Sequence, residues 1–203
     1  MTGRTLSLLV VVPADWHFSW EVALMRWVDF EAAAPRLAAL GRERLLAPGV
    51  VLVGTIRRDG SPRISPVEPF VLDGELWLSM LWGSHKAGDL ARDHRVLVHS
   101  IVTNRDGRAG EFKVRGQCRA EEDRGVQERY AEAVSAALGW QPDLGRVHLF
   151  AVDIQSVSYL RYDDATGDQF TVLWPRGREY VRRGTGGTSL GPPEPADLGL
   201  LAP

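Results

Sequence analysis

The residues of this sequence with the clearest chemical potential lie in the stretch 79–96, SMLWGSHKAGDLARDHRV. Ser84, His85 and Lys86 stand where an apolar strand pattern ends and an amphipathic helical pattern begins. The first turn of a helix carries free N–H groups and a partial positive charge, so a lysine there is locally unfavourable. A bound anion would remove the conflict, because the N–H groups, the serine hydroxyl and the ammonium would all attract it. The stretch therefore predicts a phosphate site of the kind that holds a nucleotide-type cofactor.

Composition excludes several classes of function. The chain of 203 residues has 24 basic and 26 acidic side chains that are mixed along the sequence, so charge does not predict nucleic-acid binding. Its single cysteine, Cys118, excludes an intrachain disulfide and fits a cytoplasmic location. No stretch of about 18 apolar residues occurs, so no membrane span is expected. The five histidines form no pair at zinc-binding spacing with an acidic partner, so no metal site is predicted.

Three regions are expected along the chain: an N-terminal extension of uncertain status (1–28), one folded domain (29–183) and a flexible Gly/Pro-rich tail (184–203). The apolar run Leu6–Val12 is short for a secretion signal and is not followed by a small-residue cleavage site. Met25 is an equally plausible start of the protein.

The first elements of the domain are predicted to be a helix and a buried strand. Asp29–Ala47 has leucines near helical spacing and should end at Pro48-Gly49. Val50–Ile56 is a nearly continuous β-branched run, which is typical of a strand buried on both faces. A second copy of the chain would cover one face, which predicts a homodimer, although a helix of the same subunit could provide one cover.

Asp73-Gly74 predicts a two-residue hairpin loop, because this dipeptide suits a turn with two positive φ angles. The pairs that follow from this loop are Leu72 with Glu75, Phe70 with Trp77, Val67 with Met80, and Ser65 with Trp82. Since side chains alternate, one face would carry Arg63, Ser65, Val67, Met80, Trp82 and Ser84. The polar members of this face gather at the end where Lys86 lies.

The remaining pattern alternates short strands with two helices. The predicted helices are 85–93 and 123–138, and the predicted strands are 95–102, 111–120, 147–160 and, as the last, 170–174. Strands of similar spacing joined mostly by short turns favour an antiparallel sheet curved into a barrel, an α+β fold.

The order of these segments resembles the pyridoxamine 5′-phosphate oxidase-like superfamily of flavin-binding split β-barrels. The resemblance rests on VLVGTIRRDGSPRISPVEPFVLDGELWLSMLWGSHKAGDLARDHRV followed by EFKVRGQCRAEED, and WPRGREYVRR is similar to the end of many members. It covers residues 45 to about 160. It implies an antiparallel Greek-key split β-barrel of about six to seven strands with flanking helices. It also implies a homodimer with cofactor sites at the subunit interface, holding FMN, F420 or, in a few members, haem.

The resemblance also implies the residues of the cofactor site. Arg63 would be directed at the phosphate, with Ile64 and Ser65 along the flavin, and Ser79 and Met80 would lie on the next strand. Ser84, His85 and Lys86 match the Ser-Arg-Lys phosphate-binding turn of the family, with His85 where arginine is common. Glu111 falls near a position often held by an amide that contacts the ring.

The expected function is that of an FMN-dependent oxidoreductase acting on an unknown small molecule. One alternative is an F420-dependent reductase of the same fold, and another is a non-catalytic flavin- or haem-binding protein. No catalytic acid or base is predicted, because in such proteins the cofactor carries the redox chemistry.

Overall fold

The computed structural model describes residues 25–202, so the expectations for residues 1–24 lie outside the described residues. Its helices are α1 (Trp27–Ala33), α2 (Pro35–Gly41, continued by a π-helical turn Arg42–Leu46), α3 (His85–Arg92) and α4 (Arg124–Leu138). Its strands are β1 (Val51–Ile56), β2 (Pro62–Val67), β3 (Pro69–Leu72), β4 (Glu75–Leu81), β5 (Arg95–Ser100), β6 (Glu111–Ala120), β7 (Val147–Tyr162), β8 (Gln169–Trp174), β9 (Arg178–Gly186) and β10 (Ser189–Pro195). The predicted α+β class is confirmed. None of the helices in 25–202 is long and apolar enough to cross a membrane.

The strands of the described region form one antiparallel, ten-stranded sheet rather than six to seven strands, in the order β10-β9-β8-β7-β6-β5-β1-β2, with β3 and β4 on a side branch. β7 is the point of division. One edge of β7 pairs with β6, whereas its other edge pairs with β4 over 147–151 and with β8 over 157–162. The sheet is therefore split rather than closed, as the resemblance implied.

The helix predicted over 29–47 is broken at Ala34, which has a non-helical φ of −147°. The cause is Pro35, which has no N–H to donate and is the first residue of α2. Both short helices still bury their apolar side, because Trp27, Phe30 and Leu37 are fully buried in the main core.

The hairpin predicted from Asp73-Gly74 is confirmed, with φ angles of 53° and 80° at the two loop residues. Phe70 pairs with Trp77, and Leu72 pairs with Glu75. Helix α4 covers this hairpin through Tyr130, whose ring meets that of Phe70 edge to face.

The prediction that this hairpin continues to residue 63 was wrong. The strand ends at Val67 and a new one begins at Pro69, so β2 pairs with β1 whereas the far end of β4 pairs with β7, Met80 lying opposite His148. The predicted pairs of Val67 with Met80 and of Ser65 with Trp82 do not form. Proline cannot donate to a strand ladder, which explains why the pairing changes at this position.

Strand β1 alternates rather than being buried on both faces. Val51, Val53 and Thr55 are buried, whereas the three residues between them are half-buried. The described residues leave the second face of β1 partly open, and the homodimer expected from that face stays a prediction.

The segment 184–203, predicted to be a flexible tail, contains the end of β9 and all of β10. The residues after β10 return to the domain, where Leu198, Leu200 and Leu201 pack against the main core. The backbone N–H groups of these three residues donate to the Glu179 carboxylate. One carboxylate thus satisfies three donors and fixes the end of the described chain.

Candidate functional site

The chain passes from β4 into α3 at the position that the sequence predicted. Gly83 has a φ of 69°, a conformation that favours glycine, and it directs the chain into the helix at Ser84. Gly88 makes the first intrahelical hydrogen bond, to the Ser84 carbonyl (3.1 Å), so the N–H groups before it have no helical partner. The Ser84 hydroxyl does not cap them: its Oγ is buried and has no hydrogen-bond partner in the described part of the chain.

Asp89 fixes α3 to the sheet. Its Oδ2 accepts hydrogen bonds from Thr55 Oγ1 (3.0 Å) and Arg63 Nε (2.7 Å), and its Oδ1 lies 3.4 Å from Arg92 Nη2. Burial raises the pKa of this carboxyl, but the hydrogen bonds from Arg63 and Thr55 outweigh burial and hold the pKa below its usual value. The ion pair between Arg63 and Asp89 uses only Nε of Arg63. The terminal nitrogens of the guanidinium have no hydrogen bond within residues 25–202.

A cavity of about 620 Å³, here called the arginine cavity, lies at the start of α3. It is lined by Arg57, Arg58, Asp59, Arg63, Gly83, Ser84, His85, Gly88, Asp89, Arg92 and His148. Four arginines against two aspartates give a formal charge of +2 with the histidines neutral. A phosphate monoester carries roughly −1.5 to −2 at neutral pH, so the charge of this cavity matches one such group.

A second cavity of about 730 Å³, here called the tryptophan cavity, lies beside the first. Its lining residues are Val50, Pro66, Val67, Glu68, Ser79, Met80, Leu81, Trp82, Lys86, Trp140, Asp143, Arg146 and Val147. The Trp82 side chain, 67% exposed, stacks on the His148 ring at 4.6 Å, and His148 lines the arginine cavity. One stacked pair thus contributes a wall to each cavity. The exposed indoles and the apolar floor suit a planar ring.

The structure divides the predicted site residues between these two cavities. Arg63, Ser84 and His85 line the arginine cavity, and Ser79, Met80 and Lys86 line the tryptophan cavity. Ile64 and Ser65 line neither. Ser65 lies opposite buried Val53, and Ile64, on the other face of β2, is 70% exposed.

Three arginines of the arginine cavity were not predicted from the sequence. Arg57 and Arg58 belong to the turn between β1 and β2, and their side chains have no hydrogen bond or ion pair with another described residue. No local pattern signals that this turn meets α3. Arg92 could have been predicted as a site residue, because in a helix that begins at His85 it lies on the same face as His85 and Asp89.

Glu111 does not line either cavity. Its Oε2 lies 2.8 Å from Lys113 Nζ and 3.0 Å from His99 Nε2, on neighbouring strands β6 and β5. Burial raises the pKa of Glu111. Lys113 and His99 lower it by a larger amount, so the pKa is below its usual value. Glu111 is therefore a paired carboxylate of the sheet surface in this chain.

A sequence model described as "Pyridoxamine 5′-phosphate oxidase" matches residues 39–161, which is more than half of the chain. The chain belongs to the pyridoxamine 5′-phosphate oxidase family. All eight predicted site residues lie within this family match. Comparison with curated proteins gave no match.

The fold is similar to that of two solved structures from Clostridium acetobutylicum. A protein from Clostridium acetobutylicum related to general stress protein 26 of B. subtilis aligns over 69% of this chain and 97% of its own, at 16% identity and a TM-score of 0.51. A NimC/NimA family protein from the same organism aligns over 70% and 92%, at 18% identity and a TM-score of 0.50. A haem-binding protein from Mycobacterium smegmatis aligns over 60% and 53%, at 20% identity and a TM-score of 0.46.

Proposed function

We propose that this protein is an FMN-dependent oxidoreductase, with the FMN phosphate in the arginine cavity and the ring in the tryptophan cavity. The observation that carries the proposal is the Ser84 hydroxyl, which is buried without a partner at the start of α3 and lines a cavity of net positive charge. Buried polar groups in native proteins are nearly always hydrogen-bonded, so an unpartnered hydroxyl here is best explained by a ligand. The family match supports the same assignment.

The phosphate would be held by neutral and charged donors together. The Ser84 hydroxyl and the free N–H groups of the first turn of α3 would donate directly, and the terminal nitrogens of Arg63 would supply charge-assisted hydrogen bonds. Asp89 orients Arg63 from below, and Arg57, Arg58 and Arg92 add positive charge around the rim. A hydrogen bond to a charged group contributes about 1.5–3 kcal/mol.

The ring would lie against Met80 and Trp82, and these side chains would exclude water from one side of it. A bound flavin supplies the electron or hydride transfer, and the protein supplies binding, orientation and electrostatics. Lys86 lies in the tryptophan cavity. As a cation beside the ring and near the start of α3, it would attract negative charge at either end of the cofactor.

A homodimer is part of the proposal. Gly54 of β1 pairs with Ile64 on one side and Leu97 on the other, and both of these apolar side chains are exposed. A second copy of this chain would cover this surface and narrow the cavities beside it. Light scattering of the FMN-loaded protein should give the mass of two chains, and a strict monomer would exclude an interface site.

F420 is the second candidate, and a third cavity favours it. This cavity of about 490 Å³ shares Arg57, Arg58 and Arg92 with the arginine cavity and continues to His94 and Arg95. Arg95 is paired with Asp93, which lines the same cavity, so what this cavity adds for a cofactor with negative charge beyond one phosphate is room beside Arg57 and Arg58.

The test is an absorption spectrum of the purified protein, followed by titration with FMN, F420 and haemin. FMN should bind, and Arg63→Ala combined with Lys86→Ala should weaken it at least about a hundredfold if both side chains contact it. Arg105→Ala, an exposed arginine outside both cavities, is the matched control. Because Arg63 also pairs with Asp89, Lys86→Ala alone and a thermal melt should accompany the double variant. Unchanged FMN affinity in a folded double variant would remove the site assignment.

A further inference from the structure

An apolar side cavity adjoins the tryptophan cavity on the side away from α3. Its volume is about 480 Å³, within the range of small-molecule pockets. Its apolar lining residues are Leu46, Pro69, Phe70, Val71, Leu138 and Trp140. Glu68 and Trp140 line both this side cavity and the tryptophan cavity, so the two spaces adjoin at these residues.

Glu68 is a free carboxylate at this junction. It lies between the end of β2 and the start of β3, and its side chain has no hydrogen bond or ion pair with any residue in 25–202. Lys86, Arg146 and Asp143 line the tryptophan cavity but not the side cavity. Glu68 is therefore the charged residue common to both spaces.

The only other charged residue lining the side cavity within the described chain is Arg42, and it is already occupied. Its Nε donates to Glu31 Oε1 at 2.5 Å, and its guanidinium lies 5.8 Å from the centre of the Trp27 ring. The Glu31 carboxylate compensates the charge of Arg42, which leaves the side cavity mostly apolar, with one uncompensated negative charge where it adjoins the tryptophan cavity.

We propose that the side cavity binds a hydrophobic amine, with the apolar body among the apolar lining residues of the side cavity and the ammonium on Glu68. Trp140 would contribute a ring face to the same cation, an attraction that adds to the ion pair. The ammonium end would then lie beside the ring in the tryptophan cavity, which makes a small apolar amine the substrate class. The role as substrate pocket rests on the proposed function, whereas the affinity for amines does not.

Calorimetric titration of the full chain with matched probes tests this inference. 2-Phenylethylamine should bind more tightly than its neutral analogue 2-phenylethanol, and 3-phenylpropanoate should bind most weakly. Glu68→Gln should weaken the amine about tenfold and leave the alcohol unchanged, because only the ion pair is lost. Glu68 is exposed, so this variant should fold. Asp143→Asn, which removes a carboxylate from the tryptophan cavity alone, should have no such effect.

Equal binding of amine and alcohol would overturn the inference, as would an equal loss in the Glu68→Gln and Asp143→Asn proteins. Each titration is performed without FMN and with saturating FMN, so that the two proposals fail separately. Amine binding without any FMN binding would leave the amine site and remove the flavin function. FMN binding without amine selectivity would leave the flavin function and remove the amine site.

Discussion

The two helices α3 and α4 begin in opposite ways. At α4 the N-cap is Asp123, whose Oδ1 accepts a hydrogen bond from the Val126 N–H at 3.0 Å. At α3 the N-cap is Ser84, whose hydroxyl bonds nothing in the described chain, and the second helical residue is Lys86. The start of α4 is capped by a side chain of the protein, whereas the start of α3 has no side-chain cap and carries a lysine.

This difference predicts that the stability of α3 and ligand binding at its first turn depend on different residues. A helix whose own cap is unused must be held in place by other contacts, and α3 is held through Asp89, which is bonded to β1 and β2. The first turn of α3 is thereby positioned without consuming its donors. The comparison predicts that removing Asp89, Asp123 and Ser84 will have three different signatures.

The largest effect should follow from Asp89→Ala. This change leaves Arg63 without its partner and frees the underside of α3, so it should lower the free energy of unfolding by about 3 kcal/mol, at the low end for a buried pair because Arg63 is partly exposed. Urea denaturation measures it. Glu128→Ala breaks the exposed pair with Arg124 and should cost less than about 1 kcal/mol. Similar losses in the two variants would mean that α3 is not anchored through Asp89.

The Asp89 contribution should also depend on pH in a defined direction. Its folded pKa is below the unfolded value, so the stabilisation is fully present above the unfolded pKa, near 4, and is lost as the pH falls through the folded pKa. The stability difference between the native protein and Asp89→Asn should therefore be constant near neutral pH and narrow as the pH is lowered below about 4. Denaturant midpoints across this range measure it, and a difference that widens in acid would contradict the assignment.

A smaller effect should follow from Asp123→Ala. The lost cap at α4 should cost about 1 kcal/mol, as for other N-cap substitutions. Asp123→Ser should restore most of the loss, since a serine hydroxyl can accept the Val126 N–H. If serine were no better than alanine at this position, the cap hydrogen bond would not be the source of the stability.

Local chemistry predicted those parts of the fold that a few neighbouring residues determine. The Asp73-Gly74 loop and the strand-to-helix change at Ser84 both belong to this kind, and the structure has both. The break at Glu68-Pro69 was missed because residues 63–72 were taken as one strand, although Pro66 and Pro69 within them cannot donate to a strand ladder. Strand β10 was missed because glycine and proline are depleted in strands, although they are tolerated at an edge such as this one.

The candidate site shows the same limit. Ser84 and Arg63 were predicted together and do line one cavity. Arg57 and Arg58 were not, because their place beside α3 depends on how the β1–β2 turn packs in three dimensions. Ile64 lines neither cavity and is 70% exposed, so its contact with a cofactor stays a prediction.

The smallest effect on stability, and the most informative, should come from Ser84→Ala. Because the hydroxyl has no partner in the described chain, its removal should leave the free energy of unfolding nearly unchanged without ligand, whereas FMN affinity should fall about tenfold through the lost hydrogen bond. Ser84→Asp supplies the contrast: a carboxylate caps the helix and stabilises the free protein, but it repels the phosphate and should nearly abolish FMN binding. Fluorescence titration with FMN and urea denaturation of both variants measure the two quantities. A stability loss in Ser84→Ala equal to that in Asp123→Ala, with FMN affinity unchanged, would mean that α3 begins in the same way as α4 and that its hydroxyl serves the fold rather than a ligand.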